Sequence, residues 1–388
     1  MEEWKTYKLE DLCKRICSGG TPKSTCEEFY GGTIPWLNTK EVNFNRIYET
    51  ESTITQTGYD NSSAKWVDAN SIIVAMYGNT AGKVALAKIP LTTNQACCNL
   101  TIDELKADYR YLFYYLLSQY DIIKSKANGA AQQNLNAQQI KDLLIPLPSL
   151  ETQRVISDIL TALDDKIELN NRINHNLEEQ AQALFDNFFL HKTINLGDTK
   201  TVFLTDIATY LNGLAMQKFP AKDKGLPVLK IKELGQGYCD NSSDRCSSDI
   251  SKKYIINDGD CVFSWSGTLL VDLWCGGQCG LNQHLFKVSS DNYPKWFYYL
   301  WTKHYLDTFI HIAKDKAVTM GHIKRSELEK AKVIMPSKEI LDNLSKIFEP
   351  IINQIIQLRI MNRTLAQQRD ELLPQLMSGE LKINEIDC

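Results

Sequence analysis

Two stretches of the chain carry apolar residues at a spacing that alternates between three and four. The first stretch covers residues 160–184 and the second covers residues 348–372. This spacing predicts the buried face of a long helix that pairs with another helix. The positions that we assign to helix pairing are Leu160, Leu163, Ile167, Asn170, Asn174 and Leu177 in the first stretch and Phe348, Ile351, Ile355, Leu358, Asn362 and Leu365 in the second.

The two stretches are copies of one pattern, because each position of the second lies 188 positions after its counterpart, as in Leu160 and Phe348. The same shift relates Pro148 to Pro336 and Asn94-Gln95 to Asn282-Gln283, and with small gaps it continues to Gly78 and Gly267. An internal repeat of this length predicts two structural units of the same kind.

We therefore predict an α+β fold with two repeated α/β modules joined by a pair of long antiparallel coiled-coil helices related by a pseudo-twofold axis. The predicted ranges are module 1 (1–148), the first long helix (149–192), module 2 (193–336), the second long helix (337–378) and a C-terminal tail (379–388). The helices must be antiparallel if they pair, since the first leads from module 1 to module 2 and the second must return. About 40 residues of helix span ~60 Å.

Antiparallel pairing also brings polar positions of the two helices together. With the symmetry axis near Arg172 and Ile360, Asn170 faces Asn362. An asparagine in an apolar helix interface lowers stability but can fix the register when its amide finds a partner. The alternative is that the helices separate there and both amides meet water.

Inside each module the pattern alternates between strand and helix signals. We predict a short helix within residues 7–20, a strand in IPWLNTKEV (34–42), and a buried hairpin in SIIVAMYGNTAGKVALA (71–87). An aromatic helix follows in each module, and then a glycine-containing polar loop, a short helix and a strand. The segment from Gly78 to Lys83 resembles a phosphate-binding loop, but it is one residue short and lacks Ser or Thr after the lysine, so a hairpin is the better interpretation.

Residues that both modules share should build the scaffold, and residues that differ should contact the ligand. Lys40-Glu41 recurs as Lys232-Glu233, and Asn94-Gln95 recurs as Asn282-Gln283, so we assign both pairs to the scaffold. His284 invites a catalytic role, but no serine or cysteine nucleophile is placed beside it, and module 1 has Ala96 at the same position.

The differing polar and aromatic residues cluster in the hairpin tips (77–80 and 264–268), in the polar loops, and in turns near each module's start. Such side chains contact base edges, sugars and phosphates. For each of them, a solvated surface side chain is the alternative. The candidates in module 1 are Lys23, Asn38, Tyr77, Asn79, Thr80, Lys83, Gln132, Gln133, Asn134 and Asn136; those in module 2 are Gln217, Lys218, Lys230, Trp265, Ser266, Thr268, His284, Lys314, Lys316, His322, Lys324 and Arg325.

Composition limits the remaining possibilities. The chain has 388 residues, 43% of them hydrophobic, and a net charge of −4, which argues against indiscriminate binding to nucleic acid and requires any such surface to be local. No long apolar run and no signal-peptide core occur, so we predict a cytoplasmic protein without membrane contact. Eleven cysteines without a regular framework fit a reducing compartment, and their spacing predicts no metal site.

The sequence also lacks the motifs of catalysis. It contains no Pro-Pro, and hence no [DN]PP[YF] segment of an amino-methyltransferase, and it has no dinucleotide-binding turn, P-loop or HExxH. We predict no catalytic residues.

With these motifs in view, the chain resembles the specificity subunit of a type I restriction-modification system. The resemblance rests on GGTPKS, YGNTAGKVALAK, TNQAC, IPLPSLETQRVI and the two long helices, and covers nearly the whole chain. It implies two target recognition domains that each read half of a split site in double-stranded DNA. It also implies two adenine methyltransferase subunits and restriction subunits as partners, which would carry S-adenosylmethionine, ATP and Mg while this subunit carries no cofactor. Module 2 departs from the pattern, with NGLAMQK in place of the GGTP turn.

A second hypothesis stays open at this point. The chain would be an interaction scaffold that no longer reads DNA and acts as a decoy or regulatory paralogue. A single-domain DNA-modifying enzyme is disfavoured by the missing motifs.

Overall fold

A computed structural model describes residues 4–127, 134–191, 196–315 and 321–381 of the chain. It divides into two compact units. The first unit is Met1–Asp165 with Gln368–Cys388, and the second is Lys166–Gln367. Module 1 lies in the first unit and module 2 in the second, and each unit contains parts of both long helices.

Module 1 is built from short strands in three sheets. A two-stranded antiparallel sheet pairs Lys5–Lys8 with Leu144–Leu147. A five-stranded sheet has the order Cys13–Ser18, Cys97–Ile102, Ile72–Ala75, Val84–Ala87, Asn45–Ile47. A four-stranded sheet has the order Ser52–Ile54, Tyr30–Leu37, Leu91–Thr93, Trp66–Val67.

Module 2 repeats this topology strand for strand, apart from the edge strand Asn45–Ile47. Lys200–Phe203 pairs with Lys332–Met335. One four-stranded sheet has the order Thr209–Asn212, Leu285–Ser289, Cys261–Ser264, Leu270–Leu273; the other has the order Arg245–Cys246, Leu226–Leu229, Cys279–Leu281, Ile255–Ile256. The predicted duplication of an α/β module is therefore confirmed.

Short helices connect and cover the sheets. In module 1 they are Gln56–Asp60, Tyr109–Ser118, Tyr120–Ser125 and Ala137–Lys141; in module 2 they are Leu204–Ile207, Ile231–Gln236, Lys295–His304, Leu306–Asp315 and Arg325–Leu328. The first long helix is Leu150–Phe185 and continues as a turn of π-helix, Asp186–Leu190. The second is Lys338–Ser378.

Two details differ from the sequence prediction. The helix predicted within residues 7–20 is wrong: Leu9–Leu12 forms one 3-10 turn with both leucines buried, and Cys13–Ser18 pairs with Cys97–Ile102 as a strand. The aromatic helices are each interrupted, at Gln119 and at Tyr305. Pairing within the sheet and packing of the rings outweigh local helix propensity at these positions.

The long helices pair antiparallel within the second unit. Asn170 is hydrogen-bonded to Asn362, Glu178 to Arg359, and Phe188 packs on Phe348. Residue numbers therefore rise along one helix as they fall along the other. The predicted hydrogen bond is present, with Nδ2 of Asn170 2.8 Å from Oδ1 of Asn362. The predicted antiparallel pairing is confirmed.

In the first unit the same two helices meet again through an ion pair and an apolar core. Arg369 lies 2.9 Å from Asp164, and Leu160 is buried in the same core as Leu373 and Leu376.

Ion pairs fasten each module to the helices of its own unit. In the first unit the first long helix supplies acids, since Asp158 and Asp165 bind the module's Arg110 and Arg46.

In the second unit the second long helix supplies bases: Arg359 binds Asp272 at 2.8 Å, and Arg363 binds Asp258 at 2.7 Å. The first long helix supplies an acid there, Glu178, which lies 3.9 Å from Lys303.

Candidate nucleic-acid interface

The hairpin tip and the polar loop meet at an equivalent junction in both modules. In module 1, Tyr77 and Asn134 form an antiparallel bridge, and the Leu135 N–H donates to the Met76 carbonyl. In module 2, Ser266 and His322 form the same bridge, and the Ile323 N–H donates to the Trp265 carbonyl. The segments that the sequence singled out are therefore brought together, with the same backbone and different side chains.

A glycine makes the turn at each tip. Gly78 and Gly267 have φ angles of 72° and 65°, a region that residues with a β-carbon seldom adopt. The shared glycine thus preserves the shape of the tip, while its neighbours are free to vary.

Three module 1 candidates lie exposed at this junction, Tyr77, Asn79 and Asn134, and Lys23 is exposed in the GGTPKS turn. Thr80 is half-buried. Gln132 and Gln133 lie outside the described residues. Their role as DNA contacts stays a prediction.

Three other module 1 candidates have structural partners. Asn38 caps the following turn by accepting the Lys40 N–H, and Asn136 caps the helix Ala137–Lys141 by accepting the Gln139 N–H. Lys83 Nζ donates to Asn43 Oδ1 at 2.7 Å, and burial together with Lys124 lowers its pKa. Their side chains contribute to the local fold, and their role as DNA contacts stays a prediction.

In module 2, aromatic rings surround the tip. The half-buried Trp265 ring lies 6.0 Å from His284 and 6.4 Å from His322, and its Nε1 donates to Asn212 Oδ1. Ser266 is only 7% exposed, and its hydroxyl lies 3.0 Å from Nδ1 of His284. Ser266 is one of the predicted DNA contacts; its burial disfavours direct contact, and its hydroxyl bonds to His284 instead.

Six further module 2 candidates are exposed: Gln217, Lys218, Thr268, Lys314, Lys324 and Arg325. Lys230 forms an ion pair with Asp244. Lys316 lies outside the described residues.

A cleft of about 690 Å³ in module 2 gathers three of these candidates, Gln217, Lys230 and His284. Met216, Val228 and Ile231 supply apolar walls. Arg245 and Gln283 also line the cleft, and neither is among the DNA contacts predicted from the sequence. No sequence pattern distinguishes Arg245 from other surface arginines. Gln283 is shared by both modules, which predicts a scaffold role.

The shared acidic residues have the structural role that the sequence predicted. Glu41 accepts the Asn38 N–H and the Glu51 N–H. Glu233 accepts the Lys230 N–H and the Ser243 hydroxyl. Each carboxylate thus joins the turn after a strand to a neighbouring segment.

The described residues include no group of three or more His, Cys, Asp or Glu placed to hold a metal ion. Across those residues, no helix combines the length and apolar character needed to cross a membrane.

The fold defines a class of protein. Two β-rich modules share one topology, and ion pairs join each module to an antiparallel pair of long helices. The sequence matches the type I restriction modification DNA specificity domain over residues 1–179 and 197–363. This chain therefore belongs to that family, as the resemblance predicted.

Relatives and a solved structure agree with this assignment. The type I restriction enzyme MjaIX specificity subunit of Methanocaldococcus jannaschii is 28% identical over 416 residues, covering 99% of this chain and 95% of that one. The HindI specificity subunit of Haemophilus influenzae is 23% identical over 474 residues, covering 98% and 100%. The crystal structure of a type I S subunit from M. genitalium has the same fold, with a TM-score of 0.58 at 18% identity over 97% of this chain and 96% of that one.

The family supplies the specificity component of a restriction-modification system and not its catalytic component. The prediction of a non-catalytic chain is confirmed by this family assignment.

Proposed function

We propose that this chain reads a bipartite site in double-stranded DNA, one half-site per module, and docks two adenine methyltransferase subunits and restriction subunits along its long helices. S-adenosylmethionine, ATP and Mg would be bound by those partners in the cytoplasm. The observation that carries the proposal is the junction of hairpin tip and polar loop, which recurs in both modules with different side chains.

The chemistry of the two junctions supports a different half-site for each module. Module 1 presents a phenol and carboxamides, Tyr77, Asn79 and Asn134, whereas module 2 presents an indole, imidazoles and cations. Amides form paired hydrogen bonds with adenine, and cations bind guanine or phosphate. One backbone carrying two side-chain sets suits two base sequences.

The charge distribution supports local binding. The chain is acidic overall, but Lys218, Lys314, Lys324 and Arg325 are all exposed in module 2. Cations at the candidate surface would bind phosphates, and the acidic remainder would disfavour binding elsewhere.

The test is sequencing of N6-methyladenine in cells that carry the chain with its methyltransferase, compared with cells that lack only this chain. We expect one split motif that depends on the chain. Replacing Asn134 by Ala should relax only one half of the motif, and replacing Lys324 and Arg325 by Ala should affect only the other half.

Two results would contradict the proposal. If no motif depends on the chain while the complex still assembles, the chain is a scaffold or decoy. If both sets of variants weaken binding to all sequences equally, the altered residues bind phosphate and read no base.

A further inference from the structure

The Asn-Gln pair shared by the two modules has two separate roles. The asparagines tie their own turns: Asn94 Oδ1 accepts the Ala96 N–H at 3.1 Å, and Asn282 Oδ1 accepts the His284 N–H at 3.2 Å. Both are buried, with exposed fractions of 8% and 7%. The scaffold assignment therefore holds for the asparagines.

The glutamines do not belong to this buried turn. Gln95 is exposed and Gln283 is half-buried at the edge of the module 2 cleft. Each forms a side-chain hydrogen bond with a residue that the other module lacks. Gln95 Oε1 accepts the Thr21 hydroxyl, and Gln283 Nε2 lies 3.3 Å from Nε2 of His284. In module 1 the position of His284 is taken by Ala96.

The surroundings of both glutamines are those of the candidate interface. Thr21 belongs to the GGTPKS turn that also carries Lys23. His284 contacts the Trp265 ring and the Ser266 hydroxyl at the hairpin tip. A scaffold role does not explain why a retained side chain lies at the surface and depends on a different partner in each module.

The hydrogen-bonding capacity of each amide is only partly used. A glutamine has two N–H donors and two acceptor lone pairs. After the bond to Thr21 or to His284, at least one donor and one acceptor remain, whichever way the amide is oriented. A donor beside an acceptor matches the major-groove edge of adenine, where N7 accepts and the N6 amine donates.

We propose that Gln95 and Gln283 are equivalent adenine-reading side chains, one in each module, with Thr21 and His284 as their positioning residues. The inference rests on the proposed function and requires an adenine in each half-site. It explains why the glutamine is common to two modules whose hairpin tips and polar loops carry different side chains.

The experiment uses the complex of the full chain with its methyltransferase and a duplex containing the split motif found by methylation sequencing. Each adenine is replaced in turn by 7-deazaadenine, which lacks the N7 acceptor. For the wild type, one replacement in each half-site should weaken binding by about 5- to 150-fold, the range for leaving one buried donor of the base contact unsatisfied. In the Gln283→Ala complex, 7-deazaadenine at the critical position of one half-site should no longer weaken binding. The same replacement in the other half-site should still weaken binding as in the wild type. Gln95→Ala should give the reverse.

Two kinds of variant control for loss of structure. Gln278→Ala removes an exposed amide of module 2 that binds Asn257, and Gln56→Ala removes one of module 1 that binds Asp60. Both should keep the wild-type response. Gln283→Glu retains the side-chain length but replaces the donor by a second acceptor, so the preferred base should shift from adenine toward cytosine. Mere disruption of a turn would not produce such a shift.

If Gln283→Ala weakened binding equally to the natural duplex, the 7-deaza duplexes and unrelated DNA, Gln283 would be a phosphate contact. That result would overturn the inference. Wild-type sensitivity that persists in both glutamine variants would also overturn it. Failure of the proposed function has a different signature, because the wild-type complex itself would then bind no split motif.

Discussion

Replacing Asn362 by leucine tests what the polar pair in the helix interface contributes. Asn170 is fully buried, and its Nδ2 donates to Asn362 Oδ1 at 2.8 Å. Asn362 in turn donates to Asn171 Oδ1 at 2.7 Å. The substitution removes both bonds and leaves the buried Asn170 amide without this acceptor.

The magnitude follows from the burial of Asn170. An unsatisfied buried amide costs about 1–3 kcal/mol, and the leucine recovers about 1 kcal/mol because position 362 is half-buried. We therefore expect Asn362→Leu to destabilise the helix pair by about 1 kcal/mol, the middle of a range of about 0–2 kcal/mol. Replacing Asn170 and Asn362 together by leucine leaves no unsatisfied amide at this pair and should return stability to within about 1 kcal/mol of the wild type.

The assay is native-state hydrogen exchange read by mass spectrometry on peptides from residues 166–175 and 358–366. Local opening free energies are required because a chain of two units does not unfold in one step. Exchange elsewhere in module 2 serves as the internal control, since the substitution should leave it unchanged.

Two outcomes would refute this reasoning. If the helix peptides of Asn362→Leu exchange as slowly as those of the wild type, the hydrogen bond contributes nothing. If the losses in opening free energy of Asn170→Leu and Asn362→Leu, measured singly, add up to that of the double variant, the two amides are uncoupled.

Three further predictions concern the same unit. Asn174 is buried and its Oδ1 has no hydrogen-bond partner among the described residues, so Asn174→Leu should slow exchange of the helix pair, by about 1 kcal/mol in opening free energy. The fully buried Phe348 ring stacks on Trp296 at 4.4 Å, so Phe348→Ala should lower the opening free energy of module 2 peptides in hydrogen exchange by about 3–5 kcal/mol, and a smaller loss would mean that the core closes over the cavity. The hydrogen bond from Arg363 lowers the pKa of Asp258 below its unfolded value, so this pair stabilises module 2 above about pH 4, and the stabilisation is lost as the pH falls further; Arg363→Met should remove this part of the acid dependence of hydrogen exchange in module 2, and an unchanged acid dependence would exclude it.

The repeat and the helix pairing were predictable because they depend on periodicity. A shift of 188 positions places Leu160 on Phe348, and an apolar spacing of three and four is itself a statement about helix geometry. The contact between Asn170 and Asn362 followed from the requirement that the second helix return along the first. Such arguments need no knowledge of loops or side-chain conformations.

The availability of individual side chains was not predictable in the same way. Ser266 and Asn136 have polar side chains of the kind that contact DNA. Ser266 is buried against His284, however, and Asn136 caps a helix. Burial and hydrogen bonding depend on residues that are distant in sequence, and a residue type does not reveal which partner it finds. The wrong helix in residues 7–20 has the same origin, since pairing with Cys97–Ile102 made that segment a strand.

Residue order alone is enough to predict a duplicated module with its own pair of helices, because repeats and periodicities are properties of that order. The burial of the shared asparagine and the outward direction of the shared glutamine beside it depend on the folded chain. Adjacent residues in a turn point in different directions, and the packing around the turn selects which of them enters the core.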